Sequence, residues 1–146
     1  MATIDELMKE WDEDSNMDDN HIDRESVNVP KLHAKYIRHL IQAKLKNTKL
    51  QNDFNSLKKV KFRYYRGELS REELSALEWP QYQHPKPLKN EMEQILDGDD
   101  DLNIMRVKLE YLSSMIYLLE SILGQVKARD WQLKNILEYK KFMAGG

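Results

Sequence analysis

The sequence contains no cysteine. Disulfide scaffolds, thiolate metal centres and cysteine nucleophiles are therefore excluded. Glycine and proline are sparse, five and four among 146 residues, which is too few turn-formers for a sandwich of short strands and leaves long stretches open to helix. No apolar run approaches the roughly 20 residues of a membrane span. Met1–Glu10 has no basic region followed by an apolar stretch, so it does not read as a secretory signal. Glycine-rich phosphate loops are missing. His21, His33, His39 and His84 have no metal-ligand spacing to one another. The run Asp97-Gly98-Asp99-Asp100-Asp101 suggests calcium. A calcium loop starting at Asp97 would need Gly and Glu where Leu102 and Lys108 stand. Helix capping by Asp99 or Asp100 explains it better. The expectation is a soluble, intracellular, non-enzymatic protein with no metal and no cofactor.

What is present is segregated charge. The formal net charge is −2, yet residues 1–30 hold ten acids and two bases, residues 31–71 two acids and twelve bases, residues 72–105 nine acids and two bases, and residues 106–146 four acids and seven bases. A strongly basic stretch lies between two acidic ones. Such asymmetry points to a polyanion partner, or to acidic segments that shield the basic one.

The pattern predicts an all-α chain in three parts. Residues 1–29 form an acidic N-terminal segment with one short helix. Thr3 and Glu6 make a capping box there, and Asp12 to Asn28, poor in large apolar residues, reads as a linker. Residues 30–98 hold a long basic helix opening at Pro30 and short helices, including one capped by Ser70 and Glu73. Tyr36, Leu40, Ala43, Asn47, Leu50, Phe54, Leu57, Lys61 and Tyr64 alternate at steps of four and three, a heptad-like seam, and Gly67 supplies the stop. Residues 99–146 carry the strongest seam, Leu102, Met105, Leu109, Leu112, Ile116, Leu119, Leu123 and Val126, beside a second stripe of Tyr111, Met115, Leu118 and Ile122. Two stripes imply neighbours on two sides. Gly124 is expected to weaken this helix before a last helical piece bearing Trp131. A helix of 36 residues would run about 54 Å, so the long seams are expected to pack against copies of the chain.

The end of the basic helix carries the functional signal. Leu57-Lys58-Lys59-Val60-Lys61-Phe62-Arg63-Tyr64-Tyr65-Arg66-Gly67 crowds cations and rings together. Lys59, Arg63 and Arg66 share one face at steps of four and three. Cationic tracks for phosphates beside flat rings for bases are what single-stranded nucleic acid binding requires. A solvated basic face with buried tyrosines would read the same way, and so would a coiled-coil adaptor whose basic helix docks an acidic protein.

These residues resemble the UvsY-like recombination mediator family of T-even-like phages. Lys59-Val60-Lys61-Phe62-Arg63-Tyr64-Tyr65-Arg66-Gly67 is similar to the family's run of Lys, any residue, Arg, a large apolar residue, any residue, Tyr-Tyr, any residue, Gly. Lys127-Ala128-Arg129-Asp130-Trp131-Gln132-Leu133-Lys134-Asn135-Ile136, with the closing Phe142-Met143-Ala144-Gly145, is similar to its C-terminal end. The resemblance covers roughly residues 30–146. It implies a ring-like homo-oligomer, a hexamer or heptamer, that binds single-stranded DNA. It further implies loading of a RecA-like recombinase onto strands covered by single-strand DNA-binding protein, with both proteins as partners, no membrane, and a place in the host cell cytoplasm. Carried over by position, the motif's Lys falls on Lys59 and its Arg on Lys61, which keeps the charge but loses the planar fork. The expected DNA-binding residues are Lys58, Lys59, Lys61, Arg63, Tyr64, Tyr65 and Arg66. The expected oligomerisation residues are Leu109, Leu112, Ile116, Leu119, Leu123 and Trp131.

Overall fold

Local signals set most helix ends. In the computed structural model, which describes residues 1–145 and leaves Gly146 outside the described residues, Thr3 caps α1 (Ile4–Asp14) through the reciprocal bonds of a capping box with Glu6. Ser70 does the same with Glu73 for α3 (Arg71–Leu77). Between them runs α2 (Ile22–Tyr65), and the chain continues through α4 (Lys89–Asp97) into α5 (Asp100–Met143). No strand occurs among the described residues.

Two boundaries depart from the sequence reading. The segment from Asp12 to Asn28 is not a linker: α1 occupies its start and α2 begins at Ile22, with Pro30 inside the helix. An interior proline removes one helical hydrogen bond and costs about 3 kcal/mol, so tertiary contacts must offset it. Glu25 faces the Arg129 guanidinium at 3.6 Å, Arg129 and Lys140 donate to the Asp14 and Asp19 carbonyls, and Val29 and Leu32 join the core. Asp23 and Glu25 also suit the positive end of the helix dipole. The second departure is Gly124, which does not interrupt α5. It is exposed within continuous helix, where neighbouring core residues Ile122, Leu123 and Val126 hold the backbone.

Contacts divide the chain into two compact units. One comprises Met1–Lys46 and the chain from Leu112 onward. Its core is Leu7, Leu32, Tyr36, Leu40 and Ala43 with Met115, Leu119, Ile122, Leu123 and Val126. Each large apolar side chain buried this way contributes roughly 1.5–3 kcal/mol. Tyr36 is fully buried, yet its hydroxyl donates to Asp14 Oδ2 at 2.7 Å, beside Lys35 Nζ at 2.6 Å. The acidic start is thus pinned by basic and phenolic partners from α2. The other unit, Asn47–Tyr111, is built around Phe54, Met92, Leu96 and Leu102, with Leu57, Tyr65, Met105 and Leu109 packed against them.

Candidate nucleic-acid interface

The basic helix end lies in the second unit, and its stop is built from the chain alone. Gly67 adopts φ +71°. The Glu68 amide donates to the Arg63 carbonyl at 3.0 Å and the Gly67 amide to Tyr64 at 3.0 Å, the paired bonds of a Schellman ending, which needs a left-handed residue at this position. The last turn of α2 is thereby fixed, and with it the directions of its cations.

Those cations fall into three groups. Lys58 and Lys59 are exposed and pair with no carboxylate among the described residues. Arg63 and Arg66 are half-exposed and meet acids of the same unit: Arg63 grips Glu73 at 3.0 Å and Arg66 Nε lies 2.9 Å from Glu68. The Arg63 hydrogen bond, with the Ser70 amide, holds the Glu73 carboxyl below its ordinary range. Partly exposed pairs of this kind are worth about 0–1 kcal/mol, so a phosphate can replace either acid. The Arg66 guanidinium also lies 5.3 Å from the centre of the exposed Phe62 ring.

Lys61 is different. It is only 6% exposed. Its amine lies 2.7 Å from Asp101 and 3.1 Å from Asp99 and sits 4.3 Å over the centre of the Trp79 ring. Burial alone would lower its pKa, but the hydrogen bonds to Asp101 and Asp99 outweigh that and raise it, so it stays charged. Asp99 is nearly buried as well. Burial pushes its carboxyl up, and bonds from Tyr65, the Leu102 amide and Lys61 push it further down, leaving it below the usual carboxylate range. The Leu102 bond, 2.9 Å to Asp99 Oδ1, is the N-cap of α5. The aspartate run is therefore occupied by capping and by Lys61, and no group of three or more metal-binding side chains occurs among the described residues.

The two tyrosines are anchored at their hydroxyls. Tyr64 donates to the Pro80 carbonyl at 2.7 Å and Tyr65 to Asp99 Oδ2 at 2.5 Å. Their rings meet those of Trp79 and Tyr82, and Tyr82 in turn meets His84, all with centroids between 5.1 and 5.8 Å. Trp79 and Tyr82 were not singled out in the sequence, and His84 was weighed there only as a metal ligand. Their signal was present as rings at 79, 82 and 84 in a stretch that Pro80, Pro85 and Pro87 keep from coiling.

The residues expected to oligomerise divide. Leu112 is buried where α5 enters the first unit, Leu119 and Leu123 lie in that unit's core with residues of α1 and α2, and Ile116 packs at the margin of the same core. Leu109 packs in the second unit. Trp131 alone is open, 70% exposed. One stripe of α5 satisfies the chain's own helices because α1 and the start of α2 fold onto it, which the linker reading had left out.

A crystal structure of the bacteriophage T4 recombination mediator protein UvsY superposes with a TM-score of 0.86 at 20% identity, covering 99% of both chains. A second crystal form gives 0.85 at 19% identity, covering 97% of this chain and 99% of that one. The curated recombination protein uvsY of Enterobacteria phage T4 is 22% identical over 142 residues, 97% of this chain and 98% of its own length. The family model described as "Recombination, repair and ssDNA binding protein UvsY" matches residues 10–146, and the chain, all-helical and bearing this basic helix end, belongs to the UvsY family of recombination, repair and single-stranded DNA-binding proteins.

Proposed function

We propose that this chain is a non-enzymatic recombination mediator. It binds single-stranded DNA as a homo-oligomer and promotes loading of a RecA-like recombinase onto strands covered by single-strand DNA-binding protein. The observation that carries the reading is the end of α2, where unpaired Lys58 and Lys59, the replaceable pairs of Arg63 and Arg66, and the rings of Phe62 and Tyr64 share one helix terminus. Lys58, Lys59, Arg63 and Arg66 contact phosphates. Lys61 stays with its aspartates and holds the tyrosines in place. Phosphate contact is sequence-tolerant and salt-sensitive, as a protein that must act on any strand requires.

Self-association multiplies that contact. A single basic terminus binds weakly, and several held in one assembly bind by avidity. The surface that supports association is a stripe of α5 not used in the protomer: Tyr117, Gly124 and Trp131 recur at steps of seven, and Phe142 continues the face. Tyr117, Trp131 and Phe142 are 75%, 70% and 76% exposed, and a Cβ at Gly124 would meet nothing within 4 Å, which leaves room for a second helix to approach closely. A strand held along such an assembly is extended and ready for transfer to a recombinase filament.

Light-scattering mass after size exclusion tests this, run with a labelled single-stranded oligonucleotide at low and high salt. The expected result is a mass of several subunits that carries the oligonucleotide at low salt and releases it at high salt. A multimer that ignores the oligonucleotide would favour an adaptor that docks acidic proteins. A monomer would overturn the avidity account.

A further inference from the structure

The segment between α3 and α4 carries an aromatic array that the basic helix motif does not include. Trp79, Tyr82 and His84 come from a stretch with no regular structure. Pro80, Pro85 and Pro87 fix its backbone. The Tyr64 hydroxyl ties it to α2 through the Pro80 carbonyl at 2.7 Å. Glu78, just before it, adopts the left-handed conformation at φ 59° and closes α3, with the Trp79 amide bonded back to Leu74 at 3.0 Å. The Tyr82 ring lies 5.1 Å from Tyr65 and 5.8 Å from Tyr64, and the exposed His84 ring lies 5.1 Å from Tyr82 at an angle of 57°. Gln81 and Gln83, which alternate with these rings, are exposed, as are Lys86 and Lys89 further along.

We propose that Tyr82 and His84 form a base-stacking platform for single-stranded DNA whose phosphates lie on the cations ending α2. This rests on the function proposed above and names a second element of the same site. Three features favour bases over an apolar peptide. The rings are flat and part-exposed, Tyr82 tilted against His84 and edge to face with Tyr65, and any nucleobase can stack on them. The segment adds two lysines and no acid between Trp79 and Asn90. Among the nearby acids, Asp99 and Asp101 are engaged by Lys61, so the charge they present to a phosphate is partly cancelled. The platform is already ordered by its prolines and by Tyr64, so little freedom is lost on binding.

The test compares a labelled thymidine oligonucleotide with a strand of the same length whose bases are replaced by abasic spacers, using the full chain. One lost base–ring stack lowers affinity roughly five- to hundredfold. His84→Ala removes an exposed ring and leaves the fold intact; Tyr82→Leu keeps apolar volume beneath it. His84→Ala is expected to weaken binding of the base-bearing strand at least fivefold, with Tyr82→Leu acting in the same direction. Affinity for the abasic strand and the salt slope on both strands should not change. Should Tyr82→Leu melt early, His84→Ala decides alone. Equal weakening on both strands would overturn the proposal, and so would undiminished binding of the base-bearing strand. Failure of the proposed function reads differently: the unaltered chain would bind neither strand at low salt.

Discussion

Replacing Lys61 by Met separates holding the site together from touching DNA. The substitution keeps length and apolar stem and removes the amine that stands between Asp99 and Asp101. Breaking a buried ion pair from one side costs about 3–5 kcal/mol because a charge is left without compensation. The lower end applies here. The Asp101 side chain is 53% exposed and regains water, whereas that of Asp99, 3% exposed, keeps only Tyr65 and the Leu102 amide. A loss of about 3 kcal/mol in a chain of this size lowers the melting temperature by about 6–12 °C. Lys59→Met, on the exposed face, should change stability by no more than about 0.5 kcal/mol. Binding should show the opposite pattern. Each phosphate contact on a single strand contributes about 0.7 to the slope of log affinity against log salt, so Lys59→Met should lower the slope by about that much and Lys61→Met should leave it unchanged. Thermal melting by circular dichroism and a salt titration by fluorescence anisotropy read the two effects. Adding Asp99→Asn to Lys61→Met should restore part of the stability by removing the stranded charge. An unchanged melting temperature for Lys61→Met, together with a reduced salt slope, would refute the reasoning and put Lys61 on the DNA.

Three further outcomes are expected. Gly67→Ala meets no neighbour within 4 Å but must hold φ +71°, so strain alone should cost about 1 kcal/mol, read as a lower melting temperature; no loss would mean that the α2 terminus relaxes. Asp14 and Asp99 both titrate below their ordinary range; burial opposes this in each, and hydrogen bonds from Lys35 and Tyr36, or from Tyr65, Leu102 and Lys61, outweigh it. Their stabilisation is therefore fully present above the unfolded carboxyl value of about 3.9 and is lost as pH falls through the lower folded values. Acid melts should show this, Asp99→Asn should flatten that limb, and a decline starting near neutrality would contradict it. Trp131→Ala should leave helix content unchanged, because the ring is exposed, while light-scattering mass falls toward that of the single chain; an intact assembly would move the association surface off this stripe.

Features that depend on a few neighbouring residues were legible in the sequence. Thr3 with Glu6, Ser70 with Glu73 and Gly67 each satisfy the groups of their own turn, and the structure forms all three as read. The seam of α5 was legible as an apolar face, but its partner was not. Leu119 and Leu123 would suit a second copy or the chain's own α2 equally well, and only the docking of residues 1–46 decides between them. The acidic stretch near the start was misread for the same reason: its helix depends on Arg129 and Lys140, more than a hundred positions away. In the site, the basic cluster was visible as composition. The split between free Lys59 and enclosed Lys61 was not, because it depends on Asp99 and Asp101, some forty positions on. Helical spacing alone places Lys61 in the seam, and that placement is what brings its amine to those acids.

The division of the chain also sets an order of events during synthesis. The unit that carries the basic helix end is one unbroken stretch, Asn47–Tyr111. Every contact that shapes it is available once Tyr111 and the residues just beyond have left the ribosome. The other unit joins residues from the start of the chain to residues after Leu112, so its core cannot close until α5 has emerged. Closing so long a loop is slow relative to local pairing. The basic helix end proposed to meet nucleic acid therefore takes shape first, while Leu32, Tyr36 and Leu40 still wait for Leu119 and Val126. A nascent chain halted just after Tyr111 has emerged would already present Lys58 and Lys59 in their final setting, with the surface proposed for self-association not yet made.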